Sequence, residues 1–454
     1  MRGMITGLLA LLLLAACAAP PPAAPPPAGL DGDWRGTIEV PGAPLEIGVT
    51  FAGDGGTLDV PAQGLTGVPL AEVRTEGTAV TFTVPGLPGD VSFRGTLDGD
   101  RLTGAYDQAG RTLPFTLTRG TVAAPARPQE PQPPFPYRSE DVTLTSGDVT
   151  LAGTLTLPDG DGPHPGIALI TGSGAQDRDE TIAGHKPFLL LADTLTRAGY
   201  AVLRTDDRGV GGSTGRLDEA DYTDLAGDAL AGVALLRGHP DVDPARVGLF
   251  GHSEGGYIAP LAAQLAPADV AFVIAMAGPA VSGEEVVVRQ QQLIGAQAGV
   301  PPEQLATQEA YVRELVDLAR AGDLDGARAL ARETLTALPP GQRPADDQLD
   351  AQVEAQLALI PFLLHDPAPS LSALRVPVLA FFGERDLQVP PGQSEAPMRA
   401  LLAGNPDATV VTLPGLNHLM QPTETGDVTE YGTIETTLAP EALDLVTGWL
   451  RDRF

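Results

Sequence analysis

The chain has 454 residues, 43% of them hydrophobic and 19% charged, which suits a folded protein too long for one compact core, so two domains are expected. Its 28 Lys and Arg stand against 58 Asp and Glu, a formal net charge of -30 that argues against nucleic acid or any other polyphosphate partner. The 54 Gly and 44 Pro call for many turns and at least one linker.

The chain opens "MRGMITGLLALLLLAACAAP". Arg2 supplies a small positive region and Leu8 to Leu14 an apolar one, too short for a mature membrane span, so the segment reads as a secretory signal. It ends in Leu14-Ala15-Ala16-Cys17, which resembles the bacterial lipobox, where the thiol is acylated and cleavage falls before the Cys. The competing reading is a signal peptide with an incidental Cys. The only Cys of the chain at the cleavage point favours an exported protein, lipid-anchored to the cell envelope through Cys17. With no second Cys, disulfides, Cys-based metal sites and a Cys nucleophile drop out.

Residues 17–29 read as a Pro/Ala tether, extended and semi-rigid. Residues 30–120 carry short segments of alternating apolar and polar residues, among them "WRGTIEV", "LEIGVTF", "AVTFTV", "VSFRGTL" and "TLPFTLTR". They predict a small antiparallel β-barrel or sandwich. It serves either to bind a ligand, substrate or cell wall, or as a spacer. A second Pro-rich linker, residues 121–137, marks a boundary. Beyond it "VTLTSGDVTLAGTLTLP" reads as a hairpin, and the apolar runs "GIALITG", "YAVLRTD", "RVGLFGH", "VAFVIAMAG", "VPVLAFFGERD" and "ATVVTLPG" alternate with helical stretches. Such runs predict an α/β fold with a mostly parallel sheet buried on both faces. Helix-rich sequence over about 283–368 interrupts the alternation and reads as an inserted helical cap.

The pattern G-x-S-x-G is short enough to arise by chance, and it occurs twice, as "GHSEG" at 251–255 and "GGSTG" at 211–215. A nucleophile elbow needs a strand before the Ser and a helix after it. Ser253 has "RVGLF" before it and "GGYIAPLAAQLA" after it; Ser213 lies in a Gly-rich loop and reads as a chance match. A Ser hydroxyl needs a base, and the base an orienting acid. Of six His, His418 in "LPGLNHLM" follows the last predicted strand, whereas His252 is a backbone neighbour of Ser253 that points elsewhere. Asp386 follows the apolar strand of "VLAFFGERD", with Glu384 and Asp366 as rivals. The oxyanion donors are the backbone N–H of Glu254 and that of Ser173 or Gly174, in the turn after "ALITG". Asp177, Arg178 and Asp179 read as loop braces, and Asp206, Asp207 and Arg208 likewise.

On "GSGAQDRDE", "DDRGVGGS", "GHSEGG", "GERDLQVP", "LNHLMQ" and the tail "TGDVTEYGTIETTLAPEALDLVTGWL", residues 138–454 resemble the α/β-hydrolase superfamily. The likeness is to bacterial esterase-like proteins often grouped with the serine aminopeptidases. It implies Ser253 as nucleophile, Asp386 as acid and His418 as base. Residues 30–120 look like the lipocalin-like β-module that precedes such hydrolases in some secreted proteins. The His-Gly-Gly-Gly run of better-known lipases is absent. The expected function is a serine hydrolase cleaving short or medium acyl esters through an acyl-enzyme, without metal or cofactor. A peptidase or amidase on small peptides or aminoacyl amides is the close alternative, because the same triad serves both. A non-catalytic lipoprotein binding a hydrophobic ligand is the alternative of a different class.

Overall fold

A computed structural model describes residues 29–40, 44–63, 65–87, 91–108, 111–123, 126–338, 343–344 and 346–454. The leader and Cys17 lie outside them. Nine strands come first: Gly32–Ile38 (β1), Leu45–Ala52 (β2), Gly55–Val60 (β3), Leu65–Pro69 (β4), Ala71–Glu76 (β5), Ala79–Val84 (β6), Val91–Asp98 (β7), Arg101–Gln108 (β8) and Arg111–Arg119 (β9). They form one antiparallel sheet in the order β4-β3-β2-β1-β9-β8-β7-β6-β5. Pairing of β1 with β9 curls the sheet, and its two edge strands, β4 and β5, are consecutive in the chain. Leu70, between them, donates its amide to Gly56 of β3 at 2.9 Å, so the barrel is nearly closed.

Alternation along these strands turns one face inward. Phe82 stacks on Phe93 at 4.5 Å, and the edges of Phe51 and Phe115 meet them at 5.1 and 5.2 Å. Trp34, fully buried, donates its indole N–H to Leu30. The interior is thus filled by aromatic side chains.

Eight further strands follow: Tyr137–Ser146 (β10), Val149–Pro158 (β11), His164–Ile170 (β12), Ala201–Thr205 (β13), Val242–His252 (β14), Val273–Met276 (β15), Val378–Gly383 (β16) and Ala408–Leu413 (β17). Their order is β10-β11-β13-β12-β14-β15-β16-β17. The β10–β11 hairpin joins β13 antiparallel, and every pairing from β13 onward is parallel. The fold class is the one expected from the sequence.

The near-continuous apolar runs have two buried faces to fill. In β14, Leu249 packs with one core layer and its neighbour Phe250 with the other. The layer around Leu249 receives helices Tyr222–Gly238, Gly255–Leu265 and Pro391–Leu401 through Leu236, Ala259 and Met398. That around Phe250 receives Pro187–Arg197 and Pro440–Arg451 through Phe188, Leu191 and Trp449.

Helical sequence enters between β15 and β16. Its first helix, Gly283–Gln297, starts at a capping box between Ser282 and Glu285. Val286 on that helix joins the core of the sheet, while Val288 joins a separate cap core with Val312, Leu315 and Val316. The cap is thereby rooted beside the carboxyl ends of the strands, where open parallel sheets place their sites.

Candidate active site

Strand β14 ends at His252, and a helix begins at Gly255. Ser253, between them, has φ of 52°, a left-handed conformation rare for a residue with a side chain. Its amide donates to Met276 on the neighbouring strand at 2.9 Å. The glycines explain how the turn fits. A Cβ on Gly251 would run into the backbone of Gly255, one on Gly255 into the carbonyl of Ile170, and one on Gly256 into Gly278. Ser253 lies at the wall of a cavity of about 760 Å³.

His418 Nδ1 donates to Asp386 Oδ2 at 2.8 Å, and both residues are buried. Asp386 Oδ1 accepts the amides of Gln388 and Val389, each at 2.8 Å, so the carboxylate is held on both sides. Asn417, fully buried, accepts the amides of Leu419 and Gln421 and shapes the turn that presents His418. The His418 ring lies 4.9 Å from that of His252, next to Ser253 in the chain. The rival acids do other work: Glu384 accepts the Gly415 amide, and Asp366 that of Ala368 at a short helix start.

Ser173, Gly174 and Glu254 all line the cavity with Ser253. The amide of Gly172 is taken by Glu180 Oε1 at 2.7 Å; among the described residues no protein acceptor takes those of Ser173 or Glu254. The Glu254 side chain accepts from the Tyr222 hydroxyl at 2.7 Å, and burial pushes its carboxyl above the usual range. Ser213 is a loop brace: its hydroxyl donates to the carbonyl of Asp206 and accepts the Ala152 amide.

Charged residues near the loop pair across segments. Arg178 grips Asp206 through Nε and Nη2, at 3.0 and 2.7 Å, and Arg208 grips Asp228 at 2.7 and 2.9 Å. Arg204 pairs with Asp179, and Asp177 accepts the amides of Asp179 and Thr181. Asp207 is different. It accepts from the Thr171 hydroxyl and the Gln176 amide, and burial pushes its carboxyl up to about 7.

Glu180 escapes the sequence reading, and so does its pairing with His252. Glu180, buried and at φ 52°, accepts on one oxygen both the Gly172 amide and His252 Nδ1, the latter at 2.9 Å. His252 Nε2 reaches the carbonyl of His418 at 3.3 Å. Both partners of this ring offer acceptor oxygens, an arrangement that suits a ring protonated on both nitrogens. Burial opposes the charge, but the Glu180 carboxylate outweighs it and holds the His252 pKa above its ordinary value. Glu180 and His252 together tie the loop after β12, the turn at Ser253 and the His418 loop. His252, read from the sequence as a neighbour pointing elsewhere, partners Glu180 and the His418 carbonyl; Glu180 stands at the end of "GSGAQDRDE", and only the tertiary contact pairs the two.

The cavity lining is chemically mixed. Val286, Val287, Leu359 and Phe362 of the cap, with Ile258 and Val389, supply apolar lining. Arg208, Arg216, Asp218 and Asp228 also line it. Among the described residues no cluster of three or more His, Cys, Asp or Glu is placed to hold a metal ion.

Residues 186–311 match the family model of the serine aminopeptidases, S33. Esterase EstD of Thermotoga maritima is 30% identical over 294 residues, covering 63% of this chain and 61% of that protein. The chain thus spans about three fifths of that relative's length. An uncharacterized protein of Mycobacterium tuberculosis is 36% identical over 129 residues, covering 28% of this chain and 42% of that protein. Among solved structures, the esterase Pf2001 of Pyrococcus furiosus superposes with a TM-score of 0.43 at 15% identity, over 74% of this chain and 99% of that one. The proline iminopeptidase of Mycobacterium smegmatis gives 0.43 at 18%, over 69% and 98%. The strand order and the strand–Ser253–helix turn give the α/β-hydrolase fold, and the sequence is similar to the serine aminopeptidases over residues 186–311 and to an esterase over 294 residues.

Proposed function

We propose that the protein is a serine hydrolase that cleaves carboxylic esters of short or medium acyl chain. The observation that carries the reading is the buried 2.8 Å pair of His418 and Asp386 beside the strained turn that lifts Ser253 to the cavity wall. Ser253 Oγ attacks the acyl carbonyl while His418 takes its proton on Nε2. Asp386, on Nδ1, fixes the tautomer and balances the imidazolium that forms. The amides of Glu254 and of Ser173 or Gly174 receive the oxyanion. His418 then protonates the leaving alcohol, and water, activated by the same base, releases the acid from the acyl-enzyme.

The likeness to an esterase supports ester hydrolysis in general. The apolar cap residues in the lining suit an uncharged acyl group, and the charged residues among the same lining favour a short or medium chain over a long one. The serine aminopeptidase description of residues 186–311 favours a second reading, hydrolysis of aminoacyl amides by the same groups.

A p-nitrophenyl ester panel from acetate to palmitate on residues 30–454 tests the choice. The expected result is turnover with an optimum at or below about eight carbons, blocked by a fluorophosphonate whose adduct maps to Ser253. Turnover of aminoacyl amides alone moves the assignment to the second reading. Inertness on both, with no adduct, leaves ligand binding without catalysis.

We further propose that the protein is exported and held to the envelope by lipid on Cys17. Several acyl chains anchor firmly, since each buried CH2 contributes about 0.8 kcal/mol. The full chain should partition into the detergent phase of a Triton X-114 extract of cells, and Cys17→Ser into the aqueous phase. Equal partitioning of the two would refute the anchor.

A further inference from the structure

The linker and the β-barrel are built into the hydrolase domain at one place. Arg127, in the Pro-rich linker, sends its guanidinium into the carbonyls of two separate loops. Nε donates to Gly184 at 3.1 Å, Nη2 to Ala183 at 3.1 Å and Gly432 at 2.8 Å, and Nη1 to Ile434 at 3.0 Å. Two residues on, the Gln129 side chain donates to the Leu438 carbonyl and accepts the amides of Thr437 and Leu438. Glu130 pairs with Lys186 at 2.9 Å. The barrel reaches the same place: a Cβ on Gly432 would run into the carbonyls of Pro61 and Ala62, in the turn after β3.

The segment so gripped, residues 423–438, continues to the acid of the site. His185 holds it from below, with Nδ1 on Thr437 and Nε2 on the Tyr431 carbonyl, both at 2.9 Å. The buried Tyr431 hydroxyl accepts from Gln388 Nε2 at 2.9 Å, and the Gln388 amide donates to Asp386 Oδ1. On the other flank, Arg385 donates to the carbonyls of Thr423 and Glu424, and a Cβ on Gly426 would meet the Arg385 carbonyl. The residues on both sides of Asp386 thus hang on this strap.

We infer that the linker and barrel brace the 423–438 strap and through it hold the Asp386 loop in register with His418, with Arg127 as the positioning residue. The inference rests on the reading of Asp386 as the acid of the site. Five N–H donors in a fixed plane suit one guanidinium to several carbonyls, a task for which an ammonium is a poor substitute. Displacements near 1 Å at a catalytic group cost about 10²-fold in rate, so a loosened strap should act on turnover rather than on substrate binding.

The test compares the full chain with Arg127→Ala, Arg127→Lys and Gln129→Ala. On p-nitrophenyl butyrate, Arg127→Ala should lower kcat about tenfold or more with KM within about twofold, and Arg127→Lys should recover part of it. Hydrogen exchange should quicken in peptides covering 384–389 and 423–438 and stay unchanged in β12 and β14. Gln129→Ala, which removes fewer bonds, should give the same pattern more weakly and serves if Arg127→Ala does not fold. An unchanged kcat in an active enzyme overturns the inference, and so does faster exchange confined to 126–130 and 183–184. If the wild type turns over neither esters nor amides, the functional reading falls, and exchange at 384–389 still decides whether the brace exists.

Discussion

Asp386→Asn is expected to keep the fold and lose about 10⁴-fold in kcat, and Ser253→Ala to lose about 10⁶-fold, on whichever ester the wild type turns over best. The Asn effect follows from the hydrogen bonds around the side chain. Asp386 Oδ1 accepts two backbone amides, from Gln388 and Val389. In the Asn variant only the carbonyl oxygen can serve these two donors, so the amide nitrogen must face His418 Nδ1. That nitrogen must then accept, which moves the ring proton to Nε2 and removes the lone pair that would take the Ser253 proton. Geometry is preserved and the tautomer is wrong. Steady-state kinetics read the loss, and unchanged near-UV circular dichroism shows that the fold is intact. Either variant within about tenfold of wild type would mean that the pair beside the elbow is structural.

What the sequence disclosed follows from how local the constraints are. The elbow needs Gly at 251 and 255 because no Cβ fits there, and it needs the switch from strand to helix period; both are written within fourteen residues. The alternating runs of residues 30–120 disclose a β-module, but not its full strand count. Gly55–Val60 and the edge strand Leu65–Pro69 are Gly- and Pro-punctuated segments whose pairing comes from register. The aromatic filling of the barrel is likewise a product of closure. Arg127 reads as one charge in a Pro-rich linker, since the carbonyls it grips lie 56 to 307 positions away. Glu180 and His252 are 72 positions apart and meet only because β12 and β14 are neighbours in the sheet.

That last pair carries the second large effect. Glu180→Ala leaves the His252 imidazolium buried with its counter-charge removed, a change that destabilises by about 3–5 kcal/mol. It also frees the Gly172 amide and loosens the loop after β12, so kcat should fall by about 10²-fold with little change in KM. Glu180→Gln keeps an acceptor for Gly172 and for His252 Nδ1, but a neutral ring then has no proton on Nε2 for the His418 carbonyl, and recovery should be partial. The pH dependence separates an ion pair from a neutral bond. A His whose folded pKa lies above its ordinary 6.5 contributes stability that is fully present below that value and is lost as pH rises through the folded one. Asp386 adds to the same upward pull, and its carboxylate remains in the variant. The gap in unfolding free energy between wild type and Glu180→Ala, from urea melts, should therefore be widest near pH 6 and narrow as pH rises. A gap that stays constant from pH 6 to 9 would mean that His252 is neutral in the fold. The tie between the elbow and the His418 loop would then rest on Nδ1 alone, and Glu180→Gln would restore kcat in full.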